Sequence, residues 1–536
     1  MDESRKVYGI DLGTTYSCIA QIDEFDKPVV LKNFDGLSTT PSVVYFPENV
    51  NEDVMVGVMA KEQLKIEPEK TVSFIKRYIS EDSAYDKKDF PRGLDPTEIS
   101  AFILKKIVKD ANDAKQSDDE KVEQVVITCP AYFGTKERER TKQAGEIAGL
   151  KVLAVINEPT AAAIAYGMNA KEDKTIMVYD LGGGTFDVTI IRVASGTITV
   201  VATGGDHHLG GVDWDEDFAK YLLTQYNNEA STSIEFDKEK DPKLYYELMG
   251  IAEDKKKTIS GIQTVKVIIN PNQKGSRTII VTRDDFNKAT EFRLDETIDK
   301  TREVIEIAKE KGVSKIDEWL LVGGSSRMTQ IKERVDKEFG CNAKLTDPDE
   351  CVAKGAAIYA VKQAFSSAMD KYADGEIDEK PKAISGKTNV RVVNVTSKSY
   401  GLGYINRNVT PNKDWVHNMV SANTPLPYRA EESEFFCVPE DGCRKVNLPI
   451  YESDSMDSEI VPEQATLLEN YTLTFTKYYK KDTFIKVVYE ISGEGILCGH
   501  AEVDNDSIDF ELKLKGVKTE QEKEDAKNMI AKINVS

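Results

Sequence analysis

The feature that most constrains this chain is a motif written twice. Residues 8–17 read YGIDLGTTYS and residues 178–187 read VYDLGGGTFD. Each copy has an apolar run, then an Asp (Asp11, Asp180), then Gly and Thr, which describes a strand entering a tight turn. Such a turn gathers backbone N–H groups into a concavity that suits phosphate oxygens. A third glycine turn, LLVGGSSRM at 320–328, follows another apolar run. Three such turns are hard to attribute to turn chemistry alone, and they suggest one cleft. A carboxylate beside phosphates is repelled unless a cation intervenes, so Asp11, Asp180 and Asp187 imply Mg²⁺ held through water. The other common phosphate grips are absent: no P-loop sequence occurs, and no dinucleotide-type glycine pattern follows a strand.

At 536 residues the chain exceeds what one hydrophobic core usually supports, so several domains are expected. Its 71 basic residues against 92 acidic ones argue against nucleic acid as a partner. The start, MDESRKVYGI, lacks a basic segment followed by an apolar one, and no apolar run approaches the ~20 residues of a membrane helix. The expectation is a cytoplasmic protein with no membrane partner. Seven cysteines without a CxxC pair fit a reducing compartment, and four histidines offer no zinc pattern.

Residues 1–380 alternate β-branched runs with helical stretches, the texture of an α/β domain. In LDPTEISAFILKKIVKDANDA, Asp95 caps, Pro96 suits the first turn, Glu98 completes a capping box, and Ile99, Phe102, Ile103 and Ile107 share one face. Residues 381–397 mix charge, Gly and Pro before a short Val-rich run and read as an interdomain linker. Short alternating runs over 398–515 predict an antiparallel β sandwich. At 516–536 helix signals return: Thr519 and Glu522 form a capping box, and Ala526, Met529, Ile530 and Ile533 form an apolar stripe.

Taken together, GIDLGTTYSCIA, NEPTAAAIAYG, DLGGGTFDV and LVGGSSRM resemble the heat shock protein 70 (DnaK-type) chaperones. The resemblance is dense over roughly 1–365 and thin after the linker. It implies a two-lobed, actin-like, ribonuclease H-like α/β ATPase domain followed by an antiparallel β-sandwich peptide-binding domain. ATP or ADP would lie between the lobes with Mg²⁺, and K⁺ as a further cation. Gly13, Thr14, Thr15 and Tyr16 would line the phosphates from one lobe; Gly182, Gly183, Gly184 and Thr185 would do so from the other. Asp11 and Asp187 would hold hydrated Mg²⁺. Lys76 would orient the attacking water, with Glu158, Asp180 and Thr185 completing the catalytic set. Glu253, Lys256, Lys257 and Ser260 would meet the adenosine, with Gly323, Gly324, Ser325, Arg327 and Asp349 opposite. Pro130 and Arg138 would form an interdomain switch, and Tyr404, Phe436 and Val438 would lie near a peptide slot. The implied partners are unfolded or extended polypeptides, a J-domain cochaperone and a nucleotide exchange factor.

The chain also departs from that pattern. Lys257 stands where the family has an Arg able to stack on adenine. The segment between Lys76 and Pro130 is short. VRVVNV replaces a leucine-rich, acid-bounded linker, which puts interdomain coupling in question. Pro449 interrupts an expected strand, which favours an edge or bulge. Residues 421–470 hold eleven acids against three bases, which suits peptides with basic flanks. The chain after 516 is too short for the family's helical lid. A nucleotide-gated scaffold binding one dedicated protein is the alternative reading.

Overall fold

The computed structural model describes residues 6–79, 91–115, 121–167, 173–194, 196–377, 379–384, 387–388, 390–406, 413–493, 495–512 and 517–536. The doubled motif turns out to be the visible part of a doubled sheet. In the first lobe three antiparallel strands, Val7–Asp11, Tyr16–Ile22 and Pro28–Val30, form a meander. Gln124–Cys129 then joins Val7–Asp11 in parallel, and Lys151–Asn157 joins Gln124–Cys129 in parallel. The second lobe repeats this order. Its meander is Lys174–Leu181, Phe186–Ala194 and Thr197–Asp206, and Glu318–Val322 and Lys344–Leu345 add in parallel beyond Lys174–Leu181.

Each motif copy is therefore the first hairpin of its sheet. Asp11 ends one strand, while Asp180 and Asp187 face each other across the other hairpin. Two helices, Glu158–Gly167 and Cys351–Ala373, lie between the sheets. Their alanines (Ala161, Ala162, Ala163, Ala353, Ala356, Ala357) share one core with Val7 of the first sheet and Val178 of the second. Small side chains let backbones approach closely, which explains the alanine-rich NEPTAAAIAYG run. The second lobe adds helices Gly211–Ala230 and Pro242–Gly261 and the hairpin Thr264–Ile269/Arg277–Thr282.

The expected helix after Leu94 spans Pro96–Asp113. Asp95 and Glu98 form the capping box, a contribution of about 1 kcal/mol, and its apolar face is buried in the first-lobe core. Among the described residues no helix is long and apolar enough to cross a membrane.

Ser399 to Glu511 form two five-stranded antiparallel sheets around one core containing Leu402, Ile450, Val487 and Tyr489. Pro449 sits beside a register shift at Ile450/Tyr451, just past the point where pairing with Ser399–Asn406 ends at Leu402↔Ile450. Its missing N–H costs that ladder nothing.

The stretch read as a linker is only partly extended chain, and residues 385, 386 and 389 lie outside the described residues. Arg391–Val393 is a strand pairing in parallel with Thr197–Thr199, so it is the edge of the second-lobe sheet. The final helix, Glu520–Ala531, is capped by Thr519 and Glu522 as expected. It buries Ala526 and Ile530 in the first-lobe core, while Met529 stays exposed. Residues 534–536 exchange backbone hydrogen bonds with Val54 and Val56, and Lys105 and Lys109 donate to carbonyls of Ile530, Ile533 and Val535.

Candidate functional site

Between the lobes lies a cavity of about 680 Å³ whose walls come from all three glycine turns. That volume is within the range of small-ligand sites. Its lining includes Gly13, Thr14, Thr15 and Tyr16 from the first turn, and Gly182, Gly183 and Thr185 from the second. Gly323, Gly324, Ser325 and Arg327 line it from the third, with Asp349 beside them. The first two turns meet head to head. A Cβ on Gly183 would lie 2.0 Å from Thr15 Oγ1, and one on Gly184 would lie 2.2 Å from Thr14 Cγ2. Glycine is required there by the opposing threonines, whatever the local backbone needs. Gly184 itself sits behind the wall, and its carbonyl accepts from Arg77 Nε at 2.7 Å. Arg77 also pairs with Asp213 at 2.5 Å, tying the first lobe to the second.

The floor of the cavity is a buried charge cluster. Lys76 is 3% exposed, and its ammonium donates to Glu158 in a close ion pair. Burial works against that charge, but Glu158 and Asp11 outweigh it and hold the ammonium above its usual range. Asp11 accepts from Thr128 Oγ1 at 3.0 Å. Burial and the like charge of Glu158 push its carboxyl up to about 7, against the pull of Lys76. Burial, Glu158 and Asp11 raise Asp180 well above the carboxylate range. Burial, Glu158 and Asp180 do the same to Asp187. Asp187 lies beneath the cavity wall and accepts from the Ala131 amide at 2.8 Å. One ammonium cannot neutralise four buried carboxylates, so the donor set fits a divalent cation. Among the described residues, no three His, Cys, Asp or Glu side chains are grouped to hold a metal directly.

At the far end Glu253, Lys256, Lys257 and Ser260 project from Pro242–Gly261 into the cavity. Lys256 Nζ is buried, donating to the Gly211 carbonyl at 2.6 Å and pairing with Asp215 at 2.8 Å. Lys257 reaches Glu253 at 2.7 Å and Tyr16 Oη at 3.2 Å, and Arg327 pairs with Asp349. Two lining residues escaped the sequence. Lys61 Nζ bridges the cleft to Glu253 Oε2 at 2.6 Å and donates to Tyr16 Oη at 2.9 Å, and Asp215 partners Lys256. Burial alone would raise Glu253, yet Lys61 and Lys257 hold it at about 2. No local signal marks Lys61: AKEQLK reads as a solvated helix face, and its partner lies 192 residues away.

Pro130 and Arg138 lie outside the cavity, on the path from it to the β domain. Arg138 donates to Asn157 Oδ1 and, at 3.3 Å, to the Phe133 carbonyl. That carbonyl also accepts from Ser397 Oγ at 2.8 Å, and Thr135 Oγ1 lies 2.9 Å from Tyr400 Oη. The second lobe contributes as well: Lys311 Nζ donates to the Asn423 carbonyl at 2.5 Å, and the Thr203 amide donates to Asn423 Oδ1 at 2.7 Å.

The expected peptide-slot residues divide. Tyr404 and Phe436 pack edge to face, with His417 against Phe436 and Tyr404 Oη donating to Glu459 at 2.8 Å. Val438 is fully buried in the sandwich core, where its apolar β-branched side chain packs between the two sheets.

A family model described as Hsp70 protein matches residues 7–535. The chain belongs to the Hsp70 family, and membership carries a chaperone role with nucleotide binding. Family members are generally ATPases that use ATP or ADP with Mg²⁺ and bind unfolded polypeptides and cochaperones.

Proposed function

We propose that this chain is an ATP-driven chaperone that binds exposed hydrophobic peptide segments in its β sandwich and releases them under control of hydrolysis in an actin-like cleft. The observation that carries this reading is continuity: the sheet whose central turn forms one wall of the cleft carries Arg391–Val393 at one edge. A shift between the lobes is thereby transmitted to the chain leading into the sandwich.

The backbone amides of the two opposed turns bind the phosphates. Lys76, fixed by Glu158, orients the attacking water and stabilises negative charge that develops at the γ-phosphate. Asp180 and Thr185, which also line the cavity, hold protons and water in register. Asp11 and Asp187 would hold hydrated Mg²⁺, which when bound neutralises phosphate charge. The Lys61–Glu253 bridge closes the outer end of the cleft. Arg138 and Pro130 relay the state of the cleft to Ser397, with J-domain and exchange factors as regulating partners.

The test is fluorescence anisotropy of a labelled hydrophobic peptide with basic flanks, titrated in ADP and, with hydrolysis-dead Lys76→Ala, in ATP. Weaker binding in ATP supports the reading. Binding that ignores the nucleotide contradicts it, and no peptide binding at all favours a scaffold for a dedicated partner.

A further inference from the structure

Two carboxylates face each other where the β domain meets the first lobe. Glu137 lies in the first turn of Thr135–Ile147, and Glu452 lies in the strand Cys443–Ser453 of the sandwich. A Cβ built on Gly134 would lie 3.0 Å from Glu137 Oε2 and 3.0 Å from Glu452 Oε2, so at most twice that distance separates the two oxygens. Both oxygens are shielded from solvent, and neither has a hydrogen-bond partner among the described residues. The charged and titratable groups around them come from every adjoining element. Lys136 and Arg138 lie on the helix, Lys398 and Tyr400 at the start of the neighbouring strand, Asp454 after Cys443–Ser453, and His207 behind Phe133. Two of these cations are engaged elsewhere: Lys398 Nζ pairs with Asp454 at 2.5 Å, and Arg138 donates to Phe133 and Asn157.

We propose that Glu137 and Glu452 share one proton in the docked arrangement, making docking of the β domain on the first lobe a proton-uptake step. Two buried carboxylates this close strongly disfavour carrying two charges, and uptake of one proton removes both the repulsion and one buried charge. Burial and the facing Glu137 push Glu452 up to about 8. When the domain lifts away Glu452 returns to water, where a glutamate carboxyl ionises in the ordinary range near ~4.3. The docked state thus binds the extra proton. Docking is favoured at low pH and weakens up to ~tenfold per pH unit as pH rises between these two values. The inference rests on the interface alone and is independent of what the cleft binds.

The test is small-angle X-ray scattering of the full chain from about pH 6 to about pH 9, with and without ATP and Mg²⁺, for wild type, Glu452→Gln and Glu137→Gln. An amide is neutral at every pH in this range and has no proton to lose. The wild type should expand as pH rises, and both Gln variants should stay compact at pH values where the wild type has opened. Should one variant fail to fold, as judged by circular dichroism, the other carries the comparison. Wild-type dimensions that are constant across the range in both conditions would overturn the proposal. So would Gln variants that expand at the same pH as the wild type.

Discussion

The two lobes share one strand order, yet they differ at the edge of the meander. In the first lobe the third strand is Pro28–Val30, three residues beginning with a proline that has no N–H to offer. In the second it is Thr197–Asp206, ten residues whose free edge accepts Arg391–Val393. The turns differ in the complementary sense: the first presents Thr14 and Thr15, and the second presents Gly183 and Gly184 to receive them. The repeated strand order supplies two opposed glycine–threonine hairpins at one cleft. Divergence made one of them the side chain donor of the interlock and the other the carrier of the interdomain strand.

The largest expected effect tests the floor of the cleft that both lobes build. Lys76→Ala should lower single-turnover ATP hydrolysis ~10²–10³-fold while leaving nucleotide binding largely intact. Unchanged turnover would remove Lys76 from the chemistry. The interlock is tested next. Gly183→Ala drives a methyl into Thr15 and should weaken nucleotide binding by about 1–3 kcal/mol. Adding Thr15→Gly should recover part of that loss, and strictly additive effects in isothermal titration would show that the turns do not touch.

A third prediction concerns His207, which follows the long strand of the second lobe and stacks on Phe133 of the first. Burial, helped by Lys398, lowers its pKa from 6.5 to about 3. The folded imidazole stays neutral where the unfolded one takes a proton, so stability falls as pH drops through that window, by up to ~1.4 kcal/mol per pH unit. Urea titrations at neutral and mildly acidic pH should show a shallower acid loss in His207→Gln; an equal slope would rule His207 out. The smallest effect is at the outer bridge. Lys61 and Glu253 are partly exposed, so Lys61→Ala should speed nucleotide release by only ~2–5-fold in stopped flow.

Much of this was legible because it is local chemistry. The turns announce themselves through Asp, Gly and Thr; the helix starts at Asp95 and Thr519 are written as capping boxes; Pro449 lies within the unbroken strand Cys443–Ser453, one residue before a register shift. What escaped depends on partners distant in sequence. Residues 391–393 read as a short Val-rich run, and nothing nearby says that Thr197–Thr199 is the strand they join. Lys61 reads as a solvated lysine until Glu253 is brought to it. Val438 looks like any apolar residue beside Phe436, and only the sandwich packing separates a core position from an accessible one. Glu452 is one of eleven acids in an acidic stretch, and its burial opposite Glu137 is a property of docking.

The cleft between the lobes and the interdomain strand belong to one sheet and, in the proposed cycle, move as one. The most direct measurement is amide hydrogen exchange at Arg391, whose N–H donates to the Gly196 carbonyl at 3.2 Å in the docked strand. Full-length protein should be compared in ADP and, as Lys76→Ala, in ATP. The account predicts at least ~tenfold slower exchange in ATP than in ADP, a difference of about 1.4 kcal/mol in local opening. Equal exchange in the two nucleotides would contradict it.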